Sequence, residues 1–181
     1  MNILVTGGLG FIGHNFIKYI FNNFEFNLLI NIDKISYCSN KSFIINDNKY
    51  KFVKADINDK NLICFILKEY NVTHVIHFAA QSHVDNSFDN SLDYTIDNVM
   101  GTHTLLDCVK NVNKEILFLH FSTDEVYGEL AKLIINKDDI SEYIEYVNDR
   151  PFNDKRYEIN SDKLKKLGWT VEVLDLMNTI K

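Results

Sequence analysis

The sequence predicts an α/β fold, a doubly wound parallel sheet of order 3-2-1-4-5. Three observations carry that prediction. Short strand-like runs recur at residues 2–6, 27–32, 51–54, 73–78 and 115–122, and helical patterns separate most of them. The first run, 2–6, is short, β-branched and leucine-rich, as expected of a strand covered on both faces. The first run passes straight into glycines at 7, 10 and 13. Strands that alternate with helices close into a parallel sheet through right-handed crossovers.

The first strand, 2–6, leads into a helix over 11–22. Gly7 permits a sharp turn, Gly10 lets a ligand approach the backbone, and Gly13 lets the helix pack close to the strand. A diphosphate would then rest on the N–H groups that open the helix. The spacing is Gly-x-x-Gly-x-x-Gly with Gly8 added, not the usual Gly-x-Gly-x-x-Gly. Taken alone, it also fits a plain strand-turn-helix packing motif. The second strand, 27–32, ends at Asp33, twenty residues beyond Gly13, where a carboxylate can accept from the ribose hydroxyls of a dinucleotide. Its bland alternative is a solvated carboxylate at a strand end. An acid there repels a 2′-phosphate and favours NAD over NADP, while the adjoining Lys34 pulls the other way.

Residues 36–49 are polar and asparagine-rich, which predicts a loop with a short helical turn. The third strand, 51–54, leads to Asp56 and Ile57, where an adenine edge would lie, and Asp59 can cap a helix over 60–70. The fourth strand, 73–78, runs into Ala79 and Ala80. Two alanines at a strand's carboxyl end admit a flat ligand into the crevice, or simply begin a helix. Residues 94–109 predict one long helix, and the fifth strand ends in Ser122-Thr123-Asp124-Glu125. Adjacent carboxylates in that position can divide acid and base roles if their surroundings separate their pKa values. A capped helix start is the alternative. Beyond Gly128 no clear period runs through 141, and the tail holds a candidate strand at 158–160 and a helix over 161–167 ending at Gly168.

Composition sets the bounds. At 181 residues, with 46% hydrophobic and 24% charged side chains, the chain is long enough for one domain with a small appendage. A net charge of −6 gives no footprint for nucleic acid and no polybasic patch for a membrane surface. A strand from residue 2 and the lack of any apolar run near ~18 residues predict no leader, no membrane span and a cytoplasmic protein. Cys38, Cys64 and Cys108 are odd in number and show no Cys-x-x-Cys spacing, so reduced thiols are expected. His74 and His77 fall on opposite faces of a strand, and no metal site is expected.

The joint set Gly7-Gly8-x-Gly10-x-x-Gly13, Asn31-Ile32-Asp33-Lys34, His77-Phe78-Ala79-Ala80-Gln81-Ser82-His83-Val84-Asp85 and Ser122-Thr123-Asp124-Glu125-Val126-Tyr127-Gly128 resembles the nucleotide-sugar 4,6-dehydratases. These are extended short-chain dehydrogenases acting on dTDP- or UDP-glucose. The resemblance runs almost continuously to about residue 130, and Asp149-Arg150-Pro151-Phe152-Asn153 with Leu167-Gly168-Trp169 looks like the family's C-terminal segment. It implies a Rossmann-like NAD-binding domain over 1–130 and, over 131–181, the remnant of a substrate-binding region. Gly7, Gly10, Phe11, Ile12, Gly13, Asp33, Lys34, Asp56, Ile57, Ala79, Ala80, Gln81 and Ser82 would line the NAD site. The family oxidises the sugar at C4, which makes the C5 proton acidic. Glu125 would then remove that proton and Asp124 would protonate the departing C6 hydroxyl before hydride returns to C6. Thr123 would bond the sugar near C4, and His83, Arg150 and Asn153 would address the substrate, although the family usually has Gly-His at Phe152-Asn153.

One element of the pattern is missing. The family's first step needs a tyrosine base with a lysine four residues on, carried by a helix after the fifth strand, and this chain has no such stretch between 130 and 143. Tyr50-x-x-x-Lys54 matches the bare pattern but spans the third strand. A general base contributes about 10²–10⁴ in rate, so the expectation is a lyase-type, deoxysugar-forming enzyme of low or no activity in this short form. Alternatives are a non-catalytic NAD-binding remnant, a regulatory subunit on an intact homologue or as a homo-oligomer, and an unstable gene fragment. A nucleotide-sugar 4-epimerase is the runner-up enzyme, against which the Asp124-Glu125 pair argues.

Overall fold

A computed structural model of the chain describes residues 1–43, 45–123 and Lys166. The chain divides into two compact units, Met1–Phe121 and Ser122–Lys181, and every element below belongs to the first. Strands β1 (Asn2–Thr6), β2 (Leu28–Asp33), β3 (Tyr50–Lys54), β4 (His74–His77) and β5 (Leu117–His120) form one sheet of order β3-β2-β1-β4-β5. Every pairing is parallel, and β1 sits at the centre, with Ile3 opposite Leu29 on one side and His74 on the other. The predicted strand order is the observed one.

Alternation along the buried strands divides the core in two. Leu4, Ile30, Ile32 and Val75 face one side and pack with Ile63, Ile66 and Leu67 of α2 (Lys60–Glu69) and with Leu105, Cys108 and Val109 of α5 (Gly101–Val112). Ile3, Val5, Leu29 and Ile76 face the other side, where Ile17 of α1 (Phe11–Asn23) and Phe26 cover them. Side chains of this kind contribute about 1.5–3 kcal/mol each on full burial, so the two layers fix where the strand ends lie. Asp59 caps α2 as expected, its carboxylate accepting the Leu62 N–H at 3.0 Å. No helix among the described residues is long and apolar enough to cross a membrane.

The stretch predicted as one helix over 94–109 is built differently. Two short helices, α3 (Val84–Asp89) and α4 (Ser91–Tyr94), come first, followed by a π-helical segment, Thr95–Met100, and then α5. Gly101 stands at the join because a Cβ there would lie 2.5 Å from Ile57 Cδ1. The widened turn has a local cause: Asp97 and Asn98 both bond to partners beyond β2 and β4, which regular α-helical phase would not arrange together with the core contacts of α5. In the predicted loop 36–49 the described residues form turns rather than a helical turn, with Phe43 and Ile45 packed against the α1-side cluster. At the edge of the sheet Leu117, Leu119 and Phe121 are 64%, 50% and 44% exposed.

Candidate cofactor cleft

Strand order reverses between β1 and β4, and at such a switch point the loops leaving the carboxyl ends part to form a crevice. The β1 turn builds one wall. Gly7 has φ +69 and donates its N–H to Ile32 O at 2.8 Å, and Gly10 N–H closes the turn on Gly7 O at 3.0 Å. A Cβ at Gly7 would stand 2.6 Å from Ala79 N, so the turn is wedged against the segment leaving β4. A Cβ at Gly13 would run into Gly7 O, and one at Gly8 into the Asn31 side chain. At Gly10 it would approach only Gly7 O, at 3.2 Å, leaving that face of the turn open.

Asp33, at the end of β2, is almost buried. Its Oδ2 accepts the Leu9 N–H at 3.0 Å, which ties β2 to the glycine turn. Oδ1 accepts the Ile35 N–H at 2.8 Å and the Ser39 hydroxyl at 3.1 Å. Ile35 is held at φ 62, a region that β-branched residues rarely enter. Lys34 sets its ammonium against both oxygens of Asp97, at 2.6 and 2.5 Å. Asp97 Oδ2 also accepts from Gln81 Nε2 at 2.8 Å. Asn98 brackets the Gln81 backbone, accepting its N–H at 2.7 Å and donating to its carbonyl at 2.9 Å. The Tyr94 hydroxyl donates to the His83 carbonyl at 2.5 Å. The π segment and its neighbour Tyr94 therefore hold the β4 exit loop.

Below that loop His77 is buried between Thr6 Oγ1 at 2.6 Å and Thr102 Oγ1 at 2.9 Å, stacked 5.0 Å from the His120 ring. Burial, aided by His120, pushes its pKa down to about 4. It is a neutral structural histidine at neutral pH. Among the described residues no group of three or more metal-ligating side chains occurs.

The resulting cleft opens to solvent at its mouth. It brings together Gly7, Gly10, Asp33, Lys34, Asp56, Ile57, Ala79 and Ala80 from the sequence-predicted set. Gln81, expected within the run 79–82, lines it as well, and it adds Ile32, Ser36, Cys38, Ser39, Ala55, Phe78 and Asp97. Phe11 and Ile12 are 80% and 61% exposed and do not line it. Gly13 lies buried under the turn. Ser82 and His83 are exposed outside the lining, and the His83 ring caps α3 by accepting the Asn86 N–H at 3.4 Å. Thr123 is exposed, and Asp124, Glu125, Arg150 and Asn153 lie outside the described residues. Tyr50 and Lys54 share a strand face, but four residues of strand separate them by about 13 Å, and the Tyr50 hydroxyl is taken by Asn31 Nδ2 at 2.9 Å.

The serines were hidden because a polar loop gives no sign of which hydroxyl turns inward. Asp97 was hidden because a π turn leaves no mark on hydrophobic periodicity.

A parallel sheet of this order with a glycine turn, a strand-end acid and a crevice at the switch point defines a Rossmann-like nucleotide-binding fold. Residues 4–140 match the family model described as GDP-mannose 4,6 dehydratase, and the chain belongs to that family. It is 44% identical over 142 residues to the dTDP-glucose 4,6-dehydratase of Haemophilus influenzae, covering 72% of this chain and 42% of the relative. A solved dTDP-glucose 4,6-dehydratase from Streptomyces venezuelae, with NAD bound, superposes at TM-score 0.66 and 36% identity over 72% of this chain and 42% of that one. A UDP-glucose 4-epimerase from Stenotrophomonas maltophila, also with NAD bound, gives TM-score 0.63 at 28% identity over 75% of this chain and 40% of its own. The chain thus spans about two-fifths of the length of these relatives.

Proposed function

We propose that this chain is a nucleotide-sugar 4,6-dehydratase-like protein that binds NAD and has little or no turnover alone. The observation that carries the cofactor reading is the junction of Asp33 with the glycine turn. It supports a reading in which Asp33 would meet the ribose and the open glycine backbone would meet the diphosphate. The residues fit a dinucleotide. Gly10 leaves its outer face clear, and Asp33 Oδ2 takes one donor among the described residues, keeping a lone pair for a ribose hydroxyl. Bound NAD would supply the hydride acceptor and donor for the sugar.

The substrate is dTDP- or UDP-glucose, on the likeness to relatives bearing those names. Thr123, Asp124 and Glu125 are the proposed catalytic group, and Arg150 and Asn153 the proposed diphosphate contacts. Low turnover follows from the lack of a helix-borne Tyr-x-x-x-Lys after the fifth strand: an acid and a base cannot act on C5–H before C4 is oxidised. Calorimetric titration with NAD and NADP, followed by an assay with dTDP- and UDP-glucose, tests both halves. Saturable NAD binding with no 4-keto-6-deoxy product is the expected result. Formation of product at ordinary rates overturns the second half alone, and absence of NAD binding overturns the first.

The exposed row Leu117, Leu119 and Phe121 favours a second reading, a non-catalytic subunit that docks on an intact homologue. Co-expression with such a homologue and co-purification in one complex would be its signature.

A further inference from the structure

We infer that Asp97 is a specificity-determining residue of the cleft: by holding the Lys34 ammonium, it keeps the ribose end selective for a dinucleotide without a 2′-phosphate. The inference rests on the proposed NAD site. Lys34 directly follows Asp33, so its ammonium is the cation closest in sequence to the position a 2′-phosphate would take. Free, it would offset the repulsion from Asp33 and offer a charge-assisted bond to that phosphate. It is not free. Both Asp97 oxygens engage it at 2.5 and 2.6 Å, and the carboxylate is 12% exposed while the lysine side chain is 40% exposed.

The geometry gives Asp97 a built position. It is a buried acid in a π turn, its second role is to accept from Gln81 Nε2 at 2.8 Å, and both its partners line the cleft with it. Replacement by asparagine keeps an oxygen for Gln81 and removes the charge that holds Lys34. With the Lys34 ammonium held by Asp97, it is drawn away from offsetting the Asp33 carboxylate, and the balance favours the nucleotide with less negative charge.

Binding of NAD and NADP to the full chain and to three variants tests this. Asp97→Asn should raise the NADP-to-NAD affinity ratio by roughly ten- to a hundredfold, the scale of one charge-assisted hydrogen bond to an anion. Lys34→Gln should lower the ratio instead, because Asp97 then stands unpaired. In the double variant the gain seen with Asp97→Asn should vanish. Opposite shifts from the two single variants are not what general loosening of the fold produces, and circular dichroism melts verify that each variant folds. If Asp97→Asn unfolds the chain, the Lys34→Gln arm decides by the direction of its shift. An unchanged ratio in a chain that binds NAD overturns this inference alone. Failure of the unsubstituted chain to bind either nucleotide overturns the cofactor reading and this inference with it.

Discussion

Single residues set the local shape and chemistry of the cleft and of the core beneath it. Gly7 combines a left-handed φ of 69 with a neighbour, Ala79 N, 2.6 Å from any Cβ. Gly7→Ala should cost at least about 1–3 kcal/mol, read as a lower urea midpoint with unchanged slope. His77 links folding to acidity. Its folded pKa of about 4 lies below the unfolded value near 6.5, so the unfolded chain binds more protons between those values. Stability should therefore fall as pH drops from about 6.5 to about 4, by roughly 3 kcal/mol from this group. Urea unfolding at pH 7 and pH 4.5 should show the loss, and His77→Gln should flatten it. Cys108 is buried and accepts from the Cys64 thiol at 2.7 Å, and burial first, then Cys64, pushes its pKa up to about 12. Cys38 is exposed. Iodoacetamide at pH 7.5 should label Cys38 at least about a hundredfold faster than Cys108 in the folded chain, as peptide mass mapping would measure. Asp33 was legible in the sequence because spacing from Gly13 is itself the signal. Lys34 was legible only as a charge, since nothing local shows that its partner stands 63 residues away.

Elements were read most accurately where burial and phase agree. β1, β2 and β4 are mostly buried and read as apolar runs, and all five strands, the more exposed β3 and β5 included, appeared in the sequence within a few residues of their final bounds. The cap of α2 was legible because Asp59 acts on a neighbour three residues away. Asp59→Ala should lower stability by about 1 kcal/mol, visible as a small drop in Tm. Residues 84–100 were read poorly for the opposite reason. α3 buries none of its residues, so it lacks the apolar stripe that sequence periodicity detects. α4 and the π segment are positioned by bonds to the β4 exit loop rather than by an apolar face.

At the largest scale, the unit Met1–Phe121 pairs a well-covered sheet centre with an exposed edge strand. β1 and β2 are buried almost throughout, while β5 presents Leu117 and Leu119 to solvent. Replacing both by serine should reduce association on concentration, measured by light scattering, while leaving the unfolding midpoint nearly unchanged. The strand order was legible from alternation of elements, and the cleft followed from the order. The π segment has a further consequence, at the level of the gene. A point substitution there exchanges one side chain. Loss of one codon between Thr95 and Met100 would restore four-residue closure and turn the preceding helix by about 100° relative to the rest. Either Leu105, Cys108 and Val109 would leave the core, or Asp97 and Asn98 would leave the cleft. In this stretch the number of codons matters as much as what they encode.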